Sequence, residues 1–300
     1  MKWNYDLVSH RKLYFIISLV IVLIGVGSLL VQGLNLGVDF VSGSRITAHL
    51  GEPFDGQEVQ EIYTELGLTP SVIRSAGDDN DIAIARFDTT LDNELLPQIK
   101  AAFQQQFPNF QGIEESSVSP QVGKELAQKA IYSVLIASIF IIIYVAFRFE
   151  YRFAIAGIIA LLHDAFVVIT IFSLFQLEVN LPFIAAVLTI IGYSINDTIV
   201  VFDRIRENLK YAKIKQPSDL AQVANDSLMQ TMTRSINTVV TVLFGAIALV
   251  IFGGESLRYF SIALTIGLVA GAYSSIFLAT QIWLSWKIRD FHKIKENQAN

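Results

Sequence analysis

The chain has 300 residues, 53% of them hydrophobic and 16% charged, with a mean hydropathy of +0.50. A soluble globular protein carries roughly 25% charged residues, so an ordinary water-soluble domain is excluded and a membrane class is expected. The formal net charge of −5 argues against a nucleic-acid partner, and the absence of cysteine excludes disulfides and thiolate metal ligands.

A bilayer's hydrocarbon core of about 30 Å needs roughly 20 apolar residues to cross it. Residues 1–12 form a short basic N-terminus, and Leu13–Val31 is the first such run. It follows Arg11 and Lys12 and carries no small-residue cleavage site, which predicts a retained anchor. Residues 32–129 then read as a small α+β domain. Ser44–Leu50 is strand-like, and Asp55–Leu66 spaces Val59, Ile62, Tyr63 and Leu66 as one helical face ending at Gly67. Ser71–Arg74 and Asp81–Phe87 read as strands split by the turn composition Gly77-Asp78-Asp79-Asn80. Leu91–Phe107 is a second helix striped by Leu95, Ile99, Ala102 and Phe103, and Ile113–Val122 is a last strand. This β-α-β-β-α-β order is ferredoxin-like, a fold that implies no function alone.

Five further spans follow at Ala130–Phe147, Phe153–Phe175, Pro182–Phe202, Ile236–Phe252 and Tyr259–Trp283. Between the fourth and fifth spans lies the one long loop, residues 203–235. In it Ser218 is expected to cap an amphipathic helix from Asp219 to Thr231, striped by Leu220, Val223, Ala224 and Leu228. That helix lies on the membrane face or serves as a soluble connector. Residues 284–300 form a tail. One set of flanks holds Lys2, Arg11, Lys12, Arg148, Arg152, Arg204, Arg206, Lys210, Lys213, Lys215, Arg234, Lys287, Arg289, Lys293 and Lys295, whereas the opposite short loops hold only Arg258. Loop cations stay on the cytoplasmic side, so both termini are expected in the cytoplasm and residues 32–129 outside. From Leu34 to Ala127 that domain has 15 acidic and 5 basic residues. The fold class expected is an all-α membrane bundle of six helices with an extracytoplasmic α+β domain.

Ionisable groups inside a bilayer cost at least roughly 2.5–3.5 kcal/mol at helix centre and therefore point to function. His163 and Asp164 lie about 15 Å into the third span, and Asn196 and Asp197 roughly 9 Å inside the cytoplasmic edge of the fourth. Thr189, Tyr193, Asn196 and Asp203 fall on one side of that fourth helix, with Asp197 adjacent. Arg234, at the entry of the fifth span, is long enough to reach Asp197 if the helices pack together. A carboxylate that alternates between burial and a guanidinium can take up and release a proton. The alternative is a static hydrogen-bonded pair that holds helices together, and His163-Asp164 is equally open to a packing role. The GxxxG pattern of Gly267 and Gly271 marks close helix packing. No GxxxxGK[ST] loop occurs, so energy input by nucleotide hydrolysis is unsupported and an ionic one is expected.

Gly37-Val38-Asp39-Phe40 with Gly43, the pair His163-Asp164, and above all the run Gly192-Tyr193-Ser194-Ile195-Asn196-Asp197-Thr198-Ile199-Val200-Val201-Phe202-Asp203-Arg204-Ile205-Arg206-Glu207 resemble the SecD/SecF family of protein-export membrane subunits. That family lies within the resistance-nodulation-division transporter group, and the resemblance spans nearly the whole chain. It implies a non-enzymatic, proton-coupled transport component of the bacterial cell membrane. Its partners would be a separate SecD chain, the SecYEG channel, SecA in the same pathway, unfolded preprotein and membrane lipid. No cofactor is implied beyond a coupling ion, H⁺ with Na⁺ as the alternative. Asp197 and Arg234 would form the proton relay, with Asn196, Thr198, Asp203, His163, Asp164 and Asp39 as supporting polar positions. Ser42 stands where the family commonly has glycine, and Asp39 reads equally as a cap or turn residue. Competing functional readings are a half-transporter that exports a lipid or small molecule and a non-transporting scaffold.

Overall fold

The computed structural model describes residues 5–77, 79–92 and 94–299; Lys2 of the basic N-terminus and Asp78 of the expected hairpin lie outside them. In chain order the elements are α1 (Arg11–Val31), β1 (Asn35–Leu36), α2 (Val38–Val41), β2 (Gly43–His49), α3 (Gly56–Glu65), β3 (Val72–Ala76), β4 (Ile82–Phe87), α4 (Leu96–Gln106) and β5 (Gly112–Val118). They continue as α5 (Pro120–Arg148), α6 (Tyr151–Leu174), β6 (Glu178–Val179), α7 (Leu181–Tyr211), α8 (Pro217–Phe252), α9 (Gly254–Tyr273), a π-helical segment Ser274–Ala279, and α10 (Thr280–Ala299). Two compact units result, one of Leu36–Ser133 with Glu178–Leu181 and one of the remaining segments.

The first unit is the α+β domain. Its four strands form an antiparallel sheet in the order β3-β4-β2-β5, the ferredoxin-like arrangement. Strand period fixes which residues face inward. Ile46 and Ala48 of β2 and Ala83, Ala85 and Phe87 of β4 are buried against Val59, Ile62 and Tyr63 of α3 and Ile99 and Phe103 of α4. The Tyr63 ring meets Phe87 and Phe103 edge-on at 5.1 and 5.4 Å, the arrangement that aromatic quadrupoles favour. Asp55 caps α3 by accepting the Gln57 N–H at 3.0 Å. α4 begins at Leu96, later than residue 91, with Pro97 in its first turn where no N–H is needed. β5 stops at Val118, earlier than Val122, because Pro120 opens α5.

In the same unit, the Asp39 carboxylate accepts the Leu181 N–H at 2.7 Å and so caps the start of α7. Arg45 pairs with Glu178 at 3.0 Å. Ser42 has φ +66° and ψ 173°, a region open almost only to glycine. Gly43, at φ +114°, has Phe87 O only 2.1 Å from where a Cβ would stand. Ser42 therefore holds a strained backbone that a glycine would adopt freely.

In the second unit, six helical stretches are long and apolar enough to cross a membrane. Two expectations fail here. α7 runs on to Tyr211, and α8 is unbroken from Pro217 to Phe252, so the loop narrows to residues 212–216 and the helix expected from Asp219 to Thr231 is the first part of α8. The segment between Ser218 and Phe244 has neither glycine nor proline, and its charges hide a continuous helix from a hydropathy reading. The cap of α8 is Gln216, which forms a capping box with Asp219; Ser218 has no capping role. Helix contact is close where residues are small. A Cβ on Gly267 of α9 would lie 2.2 Å from Ile190 of α7, one on Gly271 would lie 3.3 Å from Ser194, and Gly157 of α6 faces Thr198 and Phe202. The GxxxG pair is thus the face on which α9 seats against α7. At one end of the unit, Phe153 stacks on Trp283 at 4.7 Å. Nearby ion pairs join Arg148 to Asp203 at 2.8 Å and Arg152 to Asp290.

Candidate functional site

Small residues on α6 and α9 let α7 approach closely, and this decides which side of α7 is inside. The buried stripe is Ser194, Asp197, Thr198 and Val201, spaced three and four apart. Tyr193 and Asn196 are exposed, and Thr189 turns its hydroxyl onto the Ala185 carbonyl of its own helix at 2.8 Å. The expected polar face of Thr189, Tyr193, Asn196 and Asp203 is therefore not the inner one. Spacing identifies a stripe; packing partners decide its direction. Asp203 is half-buried and held by Arg148 and by Arg206, the latter at 2.9 Å, as an ion pair near the bundle end.

Asp197 sits near the middle of the 31-residue α7, and Asp164 near the middle of the 24-residue α6. Both are buried, with Asp164 only 1% exposed. The Asp197 carboxylate accepts the Ser235 hydroxyl of α8 at 2.6 Å on Oδ1 and the Ser275 hydroxyl at 2.5 Å on Oδ2. Asp164 accepts the Ser194 hydroxyl at 2.5 Å and the Ser274 hydroxyl at 2.6 Å, both on Oδ2. Its Oδ1 lies 3.4 Å from His163 Nδ1. His163 Nε2 is buried without a partner, and its ring stands 6.0 Å from that of Tyr273. Ser274 and Ser275 are neighbours at the start of the π-helical segment, so one short stretch serves both carboxylates. π-turns of this kind recur at functional sites.

Arg234 is not Asp197's partner in this structure. It is exposed, while the next residue, Ser235, turns inward and takes the carboxylate. Among the described residues Asp197 has no ion pair, and Asp164 has only His163. Asp39 acts at the start of α7 as a cap, and Thr198 packs toward Gly157. The reading by charge alone passed over Ser194, Ser235, Ser274 and Ser275. The adjacent serines of the last span and the serine next to Arg234 were the signals available. Among the described residues no cluster of three or more His, Asp or Glu is placed to hold a metal ion.

Between Asp197, Ser194, Tyr193, Thr238, Gly267 and Gly271 lies a narrow crevice of about 20 Å³, room for roughly one water molecule. The arrangement can hold a proton on either carboxylate and present hydroxyls that both donate and accept.

The chain is similar to known proteins along nearly its whole length. The family described as "Protein export membrane protein SecD/SecF, C-terminal" matches residues 98–289, and the SecD/SecF GG motif matches residues 27–53, a stretch without a Gly-Gly pair here. The chain is 45% identical to a protein translocase subunit SecF of Alicyclobacillus acidocaldarius, over 98% of this chain and 96% of that protein. It is 49% identical to a protein translocase subunit SecDF of Bacillus subtilis over 97% of this chain, but spans only 39% of that longer relative. The crystal structure of SecDF from Thermus thermophilus, described as a translocon-associated membrane protein, superposes with a TM-score of 0.85 at 31% identity, covering 95% of this chain and 39% of that one. With its six apolar helices, α+β domain and these relatives, the chain is a multi-pass membrane protein of the SecD/SecF protein-export family.

Proposed function

We propose that this chain is the SecF-type part of a Sec protein translocase, which works with a SecD partner to draw preprotein across the cell membrane by using the proton gradient. The observation that carries the reading is Asp197: a carboxylate at the middle of a membrane-length helix, held by two hydroxyls and by no cation among the described residues. Serine hydroxyls can serve a protonated or an ionised carboxyl by rotating, so the site accepts both states without repacking. One elementary charge moved through the membrane potential is worth about 2.3 kcal/mol per 100 mV, so a few protons supply a domain motion. Arg234, one residue from Ser235, is the partner Asp197 takes in the other half of the cycle, when α8 turns to bring the guanidinium inward.

The SecYEG channel is the neighbour on which this unit acts, SecA supplies the earlier, ATP-driven phase, and unfolded preprotein is the client of the α+β domain. The same reading sets both termini in the cytoplasm and that domain outside. Its support is the gathering of Arg148, Arg152, Arg206 and Lys287 at one end of the helical unit, with partners Asp203, Glu150 and Asp290. The coupling ion is H⁺, because hydroxyls and carboxylates around room for one water suit a proton. The decisive experiment is pulse-chase export in cells depleted of this chain and complemented with wild type or Asp197→Asn, at matched membrane levels. Accumulated precursor with the mutant is expected. Normal proton-dependent export would refute the role of Asp197, and export that follows Na⁺ rather than H⁺ would replace the ion.

A further inference from the structure

The mechanism above uses one of two buried carboxylates. Asp164 is as enclosed as Asp197 and lies on a different helix, and no Lys or Arg pairs with it among the described residues. In hydrocarbon an ionised side chain without a cation is costly. A fold that served packing alone would be cheaper with asparagine there, which would keep polar contacts without the charge. The three donors around Asp164 also differ from a simple packing set. Ser194 sits on the same face of α7 as Asp197, three residues before it, and both line the water-sized crevice. Ser274 donates to Asp164, and its neighbour Ser275 donates to Asp197. Two carboxylates on two helices are thus served by adjacent serines on one side, and on the other Ser194 stands between Asp164 and the crevice for one water that Asp197 lines.

We propose that Asp164 is a second proton-holding residue, exchanging a proton with Asp197 through one water and the Ser194 hydroxyl. The inference rests on Asp197 being a proton site. The proton on the Asp197 carboxyl passes to the water. The water gives one of its own protons to Ser194 Oγ, and Ser194 passes its hydroxyl proton to Asp164 Oδ2, which it already faces at 2.5 Å. Afterwards Asp197 is a carboxylate and Asp164 a carboxylic acid, while water and serine are restored with exchanged protons. His163, on the helix of Asp164, is the other titratable group facing Asp164, Tyr273 of α9 lies against the His163 ring, and Tyr193 lines the crevice beside Asp197. The unpartnered Nε2 of His163 gives the network an outlet beyond Asp164.

The test uses the full chain in membranes with its SecD partner. Export is measured with and without a proton gradient, and infrared spectra are recorded through a pH change, for wild type, Asp197→Asn, Asp164→Asn and Ser194→Ala. Expected are two carboxylic-acid bands in wild type. Asp164→Asn should remove one, and Ser194→Ala should shift it. Gradient-driven export should fall on the order of tenfold or more in both variants at normal membrane levels, the scale of a lost proton-transfer group. If Asp164→Asn does not accumulate, Ser194→Ala decides, because it removes a single oxygen. An inactive Asp197→Asn beside fully active Asp164→Asn and Ser194→Ala, with one band in wild type, would overturn this inference and leave the proposed function standing. An active Asp197→Asn would overturn the proposed function, and this inference with it.

Discussion

The two units are held together by opposite chemistries. The centre of the α+β domain is apolar: Ile46, Ala48, Leu50, Val59, Phe87, Ile99, Phe103 and Phe107 meet there, with the phenol of Tyr63 the one polar intruder in that cluster. The centre of the helical unit holds Asp164, Asp197, Ser194, Ser235, Ser274 and Ser275, while its apolar side chains such as Leu23, Phe140 and Phe244 face outward. Water explains the first pattern, because burying apolar surface is favourable only when it leaves water. Lipid explains the second, since tails are as apolar as leucine and only close packing and hydrogen bonds distinguish one helix arrangement from another. A domain built by the first rule resists change, whereas a bundle built by the second can exchange hydroxyl partners at small cost.

The comparison can be broken most forcefully in the domain. Phe103→Ala should cost about 3–5 kcal/mol there, read by hydrogen exchange of β2 and β4 amides in the full chain, because it empties the ring contacts with Tyr63 and Phe107. A loss under 1 kcal/mol would mean that the apolar cluster is not what holds the sheet. Tyr63→Phe works in the other direction. Its hydroxyl is buried without a partner, so removing it should stabilise the domain by about 1–3 kcal/mol.

The same residue sets an alkaline limit. Burial pushes the Tyr63 phenol well above its usual value, so the unfolded chain ionises first. Stability is complete below the unfolded value of about 10 and falls as pH rises beyond it, by up to roughly 1.4 kcal/mol per unit. Thermal unfolding from pH 9 to 11 should show this slope in wild type and a shallower one in Tyr63→Phe. An equal slope in both would assign the effect elsewhere.

Ser42→Gly should relieve backbone strain of order 1–3 kcal/mol and raise the domain's melting temperature. No change would mean that the strained geometry is absorbed by its neighbours. The smallest effect belongs to the bundle. Ser235→Ala removes one hydrogen bond from Asp197 and should cost only about 0.6–1.7 kcal/mol of helix association, measured by unfolding in detergent. A cost comparable to that of Phe103→Ala would erase the contrast between the two centres.

Much of this arrangement was legible in the amino-acid order. Apolar runs located six spans, and alternation with turn residues located the ferredoxin-like order. The continuous α8 was not legible, because Asp219, Asp226 and Arg234 made a helix that enters the membrane read as a loop with a separate helix. Asp197 and Asp164 stood out by charge. Their serine partners did not, since a membrane serine commonly satisfies itself on its own helix, as Ser261 does on Leu257 O at 2.8 Å. Arg234 illustrates the converse. Its position is right for a partner, but the rotation of α8 turns Ser235 inward, and the spacing along one helix does not set that rotation.

The π-helical segment leaves the last span with a movable dislocation. A wide turn holds more residues than an α-turn, and when the surplus shifts along a helix, the stretch it passes rotates by about 100° and advances about 1.5 Å per residue. Moved toward the N-terminus, the surplus would swing Ser274 and Ser275 off Asp164 and Asp197 while Trp283 stayed stacked on Phe153. Moved the other way, it would turn Trp283 and leave the serines in place. A defect travelling either way would make the last helix a screw with a spare thread, freeing the carboxylates in one direction and twisting α10 in the other.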